Sequence, residues 1–215
     1  MRKFSVLLAS LALTSSVTFA DSIAIFGSGP FGSFTGTIEY NFDGDPGDDD
    51  LFITLKNTTD PNIQDPPNLI TAFVFNINGD ATATLDPDPD GDFENVVNED
   101  AQPNGTFEFG AAIGGSYNGG GNPNGGVAVG DTRTFAFDVE GTDASSLTAI
   151  DFFSELSTNP QGGGAEVFMV RFRGGEESDK VPGEIIPLPP AAWMGLAMLG
   201  ALGTIKKIRS RRTVA

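Results

Sequence analysis

Hydrophobic and polar residues alternate in several short stretches of this chain, which is the pattern of half-buried β-strands. In residues 33–42, the apolar residues Phe34, Ile38, Tyr40 and Phe42 are predicted to share one face, and threonine, glutamate and asparagine side chains take the other. The same period of two predicts strands at residues 51–56, 105–113, 133–140 and 166–173. Residues 69–77 are more continuously apolar and predict a strong, central strand.

The segments between these strands are rich in turn residues. A weaker strand at residues 81–85 follows Asn78-Gly79-Asp80, a sequence that favours a hairpin with the preceding strand. Residues 86–104 are acidic and contain proline, so we expect a loop there. Residues 114–126 are rich in glycine and asparagine and predict a flexible, solvent-facing loop.

Seven or eight short strands with little helix predict an all-β fold, an antiparallel β-sandwich of jelly-roll or Ig-like type over residues 21–183. Residues 145–156 are ambiguous, because their apolar positions also fit one face of a helix. With 18 phenylalanines and one tryptophan, the core should be rich in phenylalanine. The chain has no cysteine, so no disulfide supports this core.

The N-terminus has the features of a secretory signal peptide. Arg2 and Lys3 give a basic start, and residues 4–13 form an apolar segment too short to span a membrane. Small residues at Thr18 and Ala20 suit the −3 and −1 positions of a cleavage site. We therefore expect residues 1–20 to be removed after Ala20.

The C-terminal segment, residues 184–215, has three zones in a fixed order. A linker and a proline motif come first, and residues 191–205 then carry no charge and would span about 22 Å as a transmembrane helix. Five basic residues follow and are predicted to stop transfer on the cytoplasmic side: Lys206, Lys207, Arg209, Arg211 and Arg212. The alternative is a helix of a soluble domain, but such a helix would have a polar face.

The proline motif consists of Ile186, Pro187, Leu188, Pro189, Pro190, Ala191, Ala192 and Trp193. With the apolar and basic zones after it, the motif resembles the PEP-CTERM sorting signal, in the variant that reads Val-Pro-Leu-Pro-Ala-Ala-Ala-Trp. The differences are isoleucine for valine and Pro190 for the first alanine. The resemblance covers about the last 30 residues. It implies transient anchoring in the inner membrane of a Gram-negative bacterium, processing by an exosortase, and association with exopolysaccharide at the cell surface or in a biofilm.

The net charge of the chain between its two end segments limits the classes of molecule that it can bind. Two of the 12 basic residues lie at the N-terminus and five in the tail, which leaves five basic residues against all 29 acidic ones in between, a net charge of −24. Such a surface repels nucleic acid and favours cations or neutral partners, or it serves solubility alone. The absence of histidine and cysteine excludes Ser-His-Asp and Cys-His nucleophile pairs and the usual zinc sites.

Two acidic loops are candidate calcium sites, because Ca²⁺ prefers six to eight oxygen ligands. The first has carboxylates at every second position: Asp86, Asp88, Asp90 and Asp92. An EF-hand loop is not expected, since its twelfth position is Val97 instead of glutamate. The second, with weaker spacing, contains Asp43, Asp45, Asp48, Asp49 and Asp50. A solvated acidic turn is the competing interpretation of both loops.

These features favour an exported surface or matrix protein that has no catalytic residues and needs no cofactor, with calcium as the one candidate. The alternative is a calcium-dependent carbohydrate-binding module, for which Tyr40 and Tyr117 are the candidate tyrosines for stacking on a sugar. A carboxylate-based glycosidase is a third hypothesis, but no specific carboxylate pair stands out among 29 acids.

Overall fold

The protein is described here by a computed structural model covering residues 21–44, 50–63, 66–87, 91–119, 122–175 and 177–186. Within these ranges the chain forms eleven strands. They are β1 (Asp21–Ser28), β2 (Ser33–Tyr40), β3 (Leu51–Asn57), β4 (Leu69–Phe75), β5 (Thr82–Leu85), β6 (Phe93–Asp100), β7 (Thr106–Ile113), β8 (Thr132–Glu140), β9 (Phe168–Arg173), β10 (Asp179–Pro182) and β11 (Glu184–Ile185).

The strands form two antiparallel sheets. The six-stranded sheet has the order β11-β1-β2-β3-β8-β5, and the five-stranded sheet has the order β10-β9-β4-β7-β6. One apolar cluster joins their inner faces, with the Phe73 ring of one sheet 4.8 Å from the Phe135 ring of the other. The prediction of an all-β fold with two packed antiparallel sheets is confirmed.

Phenylalanine dominates the core between the sheets, as its abundance predicts. Phe73 is fully buried, and its ring centroid lies within 6.4 Å of the centroids of four others. These partners are Phe75, Phe135, Phe137 and Phe168. Ring pairs in such stacked, tilted and edge-on arrangements add about 0.5–1.5 kcal/mol each beyond their area burial.

The strand β4 is central, as predicted. It pairs with β7 on one side and β9 on the other, and six of its seven residues are buried. A strand covered on both faces needs apolar residues at consecutive positions, which explains why its sequence does not alternate.

The hairpin predicted between β4 and β5 is wrong, because the two strands belong to different sheets. The strand β5 pairs with β8, with Thr82 opposite Glu140. Asn78-Gly79-Asp80 serves instead as a crossover between sheets, and the Asp80 N–H donates to Oδ2 of Asp143 at 2.9 Å. Both edges of β4 are already occupied by neighbours, so β5 completes the other sheet.

The loop predicted at residues 86–104 is also wrong over much of its length, because it contains the eight-residue strand β6. This strand lies at the edge of its sheet and buries only Phe93 and Val96. Its polar residues face solvent, and Asn98 has a left-handed backbone with φ 54°. An acidic edge strand of this kind lacks regular alternation, and pairing with β7 overrides the local preference for a loop.

Residues 145–156, which the sequence leaves ambiguous, form neither a strand nor an α-helix. They contain two short 3₁₀ turns, the end of Ala144–Ser146 and Ala149–Phe153. A capping box between Thr148 and Asp151 starts the second turn, which buries Phe152 and Phe153 against the core. A third turn, Pro123–Gly125, lies in the predicted glycine-rich loop.

Candidate functional site

The most informative site is the sheet edge at which the C-terminal segment leaves the folded body. The strand β10 belongs to the five-stranded sheet, and the chain changes sheets at Gly183, whose N–H donates to the Phe168 carbonyl oxygen at 2.8 Å. The next strand, β11, pairs with β1 at the edge of the six-stranded sheet. A Cβ atom at Gly183 would lie 3.1 Å from atoms of the Phe153 and Phe168 rings, which is tighter than an ordinary contact, so glycine suits this close crossing.

The first residue of the proline motif is part of this arrangement. Ile186 is 40% exposed, and its N–H donates to the Ala24 carbonyl oxygen at 2.8 Å. The rest of the motif, Pro187 to Trp193, and the predicted stop-transfer residues Lys206 to Arg212 lie outside the described residues. No helix within the described ranges combines the length and apolar character that a membrane crossing requires.

The other end of the body meets the same edge. The strand β1 starts at Asp21, directly after the predicted cleavage point, and Asp21 lies opposite Tyr40 of β2. Oδ2 of Asp21 accepts a hydrogen bond from the Ala149 N–H at 3.0 Å, which holds the start of the strand against a 3₁₀ turn. The predicted signal peptide, residues 1–20, lies outside the described residues.

The first candidate calcium loop is only partly described. Asp86 is exposed, and its backbone N–H donates to the Ala136 carbonyl oxygen at 2.9 Å. Asp92 is partly buried immediately before β6. Asp88 and Asp90 lie outside the described residues. Within the described part of the chain, no three acidic side chains are grouped so that they could hold a metal ion.

The structure brings together two residues of the second acidic loop, Asp43 and Asp50. The Asp43 N–H donates to Oδ1 of Asp50 at 3.3 Å, and Asp50 is buried next to Asp138. Burial raises the pKa of the Asp50 carboxyl group, and the nearby Asp43 and Asp138 carboxylates raise it further, against hydrogen bonds from the Asp43 and Val139 backbones that lower it. Asp45, Asp48 and Asp49 lie outside the described residues.

Both tyrosines proposed for sugar stacking are buried. The Tyr40 hydroxyl donates to the Ala144 carbonyl oxygen at 2.8 Å, and burial, followed by the Asp50 and Asp143 charges, raises its pKa. Tyr117 is fully buried, so the prediction of a solvent-facing loop is wrong at this residue, whereas Gly114, Gly115 and Asn118 beside it are exposed as predicted. Neither ring presents a face to a ligand in this conformation.

Tyr117 instead covers a second apolar cluster on the outer face of the five-stranded sheet, which sequence reasoning missed. The cluster comprises Ala72, Val74, Val96, Ala101, Phe107, Ala112, Tyr117 and Met169. Arg171 donates to the Tyr117 carbonyl oxygen, and Nζ of Lys180 lies 5.5 Å from the ring centroid. The Tyr117 N–H donates to Oε2 of Glu99 at 2.9 Å. The continuous apolar sequence of β4 was the one signal that its outer face needs a cover.

Two of the five basic residues between the two end segments, Arg171 and Lys180, contact this cover. Arg171 and Lys180 are opposite each other on β9 and β10, with Arg173 two residues along β9. Burial lowers the pKa of Lys180, and the Arg171 charge lowers it further. Nζ of Lys180 donates to the Gln102 carbonyl oxygen at 2.6 Å and to Oδ1 of Asn118 at 2.7 Å. These bonds tie the covering segment to the sheet.

Comparisons with models of protein families, with curated proteins and with solved structures find no match to this chain.

Proposed function

We propose that this chain is an exported protein without catalytic activity, whose β-sandwich is presented at the cell surface or in an exopolysaccharide matrix. Its N-terminal segment directs export, and its C-terminal segment anchors it transiently in the inner membrane until an exosortase-type enzyme processes it. The observation that carries this proposal is the position of the two predicted signals. They flank one folded body whose first and last strands, β1 and β11, are hydrogen-bonded neighbours.

This arrangement suits a protein that loses both ends. The expected N-terminal cleavage point directly precedes Asp21, and Pro187 directly follows Ile186. Both points lie at one sheet edge, outside the phenylalanine core. Cleavage at these points would leave every described strand in place, so processing need not cost the body its stability.

The body is also suited to an exterior setting. Its charge of −24 keeps it soluble and apart from other anionic surfaces. The chain has no cysteine, so its stability does not depend on the redox state of the compartment it enters.

Intact mass of the protein recovered from the native host tests the proposal. We expect the exterior form to begin at Asp21 and to end within or near residues 186–193. A variant with both Pro187→Ala and Pro189→Ala keeps the apolar and basic zones and should accumulate uncut in the inner membrane. A variant truncated after Ile186 should be exported without membrane retention. Full-length chains in the cytosol, or surface deposition unaffected by the truncation, would overturn the proposal.

A further inference from the structure

The outer edge of β1 is only partly paired in the described residues. Its partner β11 places Ile185 opposite Ile25 and Glu184 opposite Phe26, and the next hydrogen bond joins the Ile186 N–H to Ala24. Three residues of β1, Asp21 to Ile23, precede Ala24 in the chain. On the side away from β11 they pair with β2. Within the described residues, β11 does not extend far enough to pair with the outer edge of residues 21–23.

The alternation of an antiparallel ladder defines which groups point outward there. Residues opposite each other alternate between pairs that exchange hydrogen bonds and pairs that do not. Because Ala24 bonds to Ile186, a ladder continued in the same register would have a non-bonded pair at Ile23 and a bonded pair at Ser22. Ser22 therefore directs its N–H and carbonyl oxygen toward the outer edge, whereas Asp21 and Ile23 direct theirs toward β2.

The sequence after Ile186 has prolines in the register that this edge permits. Continuing the same register places Pro187 opposite Ile23, Leu188 opposite Ser22 and Pro189 opposite Asp21. Proline has no N–H to donate, so it suits an edge strand only at non-bonded positions. Pro187 and Pro189 both fall on such positions, and Leu188, which has an N–H, falls on the bonded one. Pro190 would fall on the next bonded position, where the ladder must end.

We propose that the outer edge of β1 is the docking site of residues 187–189, which add to it as a continuation of β11. The occupant is specified by continuity with the existing β1–β11 pairing, by the three residues of β1 that remain, and by the register of the prolines. The prolines also protect the sheet, because an edge strand whose outward positions lack N–H groups is a poor template for another chain.

Docking has a consequence that rests on the proposed function. An enzyme that holds the proline motif as an extended peptide must compete with β1 for the same backbone groups. Detachment of the motif from β1 then precedes cleavage, and the stability of this pairing regulates the rate of processing.

Disulfide trapping in the full chain tests the docking, since the native chain has no cysteine that could interfere. The chain is exported to the oxidising periplasm of a Gram-negative host without an exosortase, so its tail is retained. The test variant carries Ser22→Cys and Leu188→Cys. These residues form a bonded pair in the proposed register, with Cα atoms about 5.5 Å apart, within the range a disulfide spans. The disulfide is read by intact mass after alkylation of free thiols.

Two matched variants calibrate the result. Ala24→Cys with Ile186→Cys joins residues that the described hydrogen bond already places together, and it should oxidise fully. Ser28→Cys with Leu188→Cys uses the far end of β1, about 20 Å away, and should remain reduced. We expect the test variant to match the first and exceed the second at least tenfold. A test variant that stays as reduced as the Ser28 control, or an Ala24 pair that fails to oxidise, overturns the docking.

The same variant, expressed in the native host, tests the effect on processing. Locking the motif to β1 should slow processing at least tenfold, and a reducing agent should restore it. If the wild-type tail is never cut, the proposed function fails, whereas the trapping experiment still decides the docking. If the wild-type tail is cut and the locked variant is cut at the same rate, detachment is not required and this consequence of docking is wrong.

Discussion

The outer faces of the two sheets differ sharply. On the six-stranded sheet, β3 alternates between buried residues and residues such as Phe52, Thr54 and Lys56 that reach solvent or are half-buried. On the five-stranded sheet, β4 is buried on both faces because the Tyr117 segment covers the second apolar cluster. The sequence period reflects this difference, since a strand alternates only when one of its faces remains in water.

The covered face also needs a means of fixing its cover. Arg171 and Lys180 supply it by bonding to carbonyl oxygens of Tyr117 and Gln102, and Glu99 accepts the Tyr117 N–H. The bare face carries a simpler pattern, in which Thr54 and Thr134 hydrogen-bond across strands at 2.8 Å. A glycine-rich segment can therefore be a structural part of this fold when one aromatic residue in it is held by charged side chains.

The largest expected effect comes from removing the Tyr117 side chain, which covers the five-stranded sheet. The matched change removes an aromatic side chain from the bare face of the other sheet. Tyr117→Ala should lower the free energy of unfolding by about 3–5 kcal/mol, because Tyr117 is fully buried over the second cluster. Phe52→Ala, on the bare face, should cost about 1 kcal/mol since Phe52 is half-buried. Urea denaturation of both variants measures the two changes.

Tyr117→Phe separates the ring from its hydroxyl group. The hydroxyl is buried without a hydrogen-bond partner among the described residues, so this variant should be as stable as the wild type or more stable by about 1 kcal/mol. If Tyr117→Ala cost no more than Phe52→Ala, the contrast between covered and bare faces would be wrong.

Much of the fold follows from the sequence because alternation reports burial directly. The strands containing Phe34, Phe135 and Phe168 lie where their apolar residues predict, and β4 is central for the same reason. The strand β6 could not be predicted in this way, since an edge strand with two buried residues has almost no pattern of its own. The sequence also does not reveal which of the two sheets β5 joins, because this depends on which strand edges are already occupied.

The candidate site, like the fold, has features that the sequence predicts and features that it does not. The proline motif is visible in the sequence, but the hydrogen bond of its first residue, Ile186, to Ala24 of β1 is not, because residues more than 150 positions apart meet only through the sheet topology. The glycine and asparagine neighbours of Tyr117 predict a loop, and nothing nearby in the sequence reveals its partners Arg171 and Lys180. Local composition therefore describes long-range pairing poorly.

The buried carboxyl group of Asp50, at the end of the six-stranded sheet, makes the stability of the fold depend on pH. The pKa of Asp50 is raised in the folded state, so the folded protein binds a proton here more readily than the unfolded chain, whose Asp pKa is about 3.9. The stability that this carboxyl group contributes is therefore present below the pKa of the unfolded chain, and it is lost as the pH rises above that pKa. Asp50→Asn should gain stability relative to the wild type between about pH 3 and pH 7, as measured by urea midpoints.

Asp131→Asn removes the same charge from an exposed position and corrects for the change in net charge. If the two variants showed the same dependence on pH, burial of Asp50 would have no energetic effect, and this end of the six-stranded sheet would be as solvated as its bare face.

The smallest effect belongs to the bare face itself. Thr54 and Thr134 are directly opposite each other on β3 and β8, and their hydroxyl groups share one hydrogen bond exposed to water. Thr54→Val and Thr134→Val should each change the free energy of unfolding by no more than about 0.5 kcal/mol, because valine keeps the branched shape and solvent competes for the lost bond. A double-mutant cycle should give a coupling of about 0.5 kcal/mol or less. A coupling above about 2 kcal/mol would mean that this face is shielded from water, as the other sheet is by Tyr117, and the distinction between the two sheets would not hold.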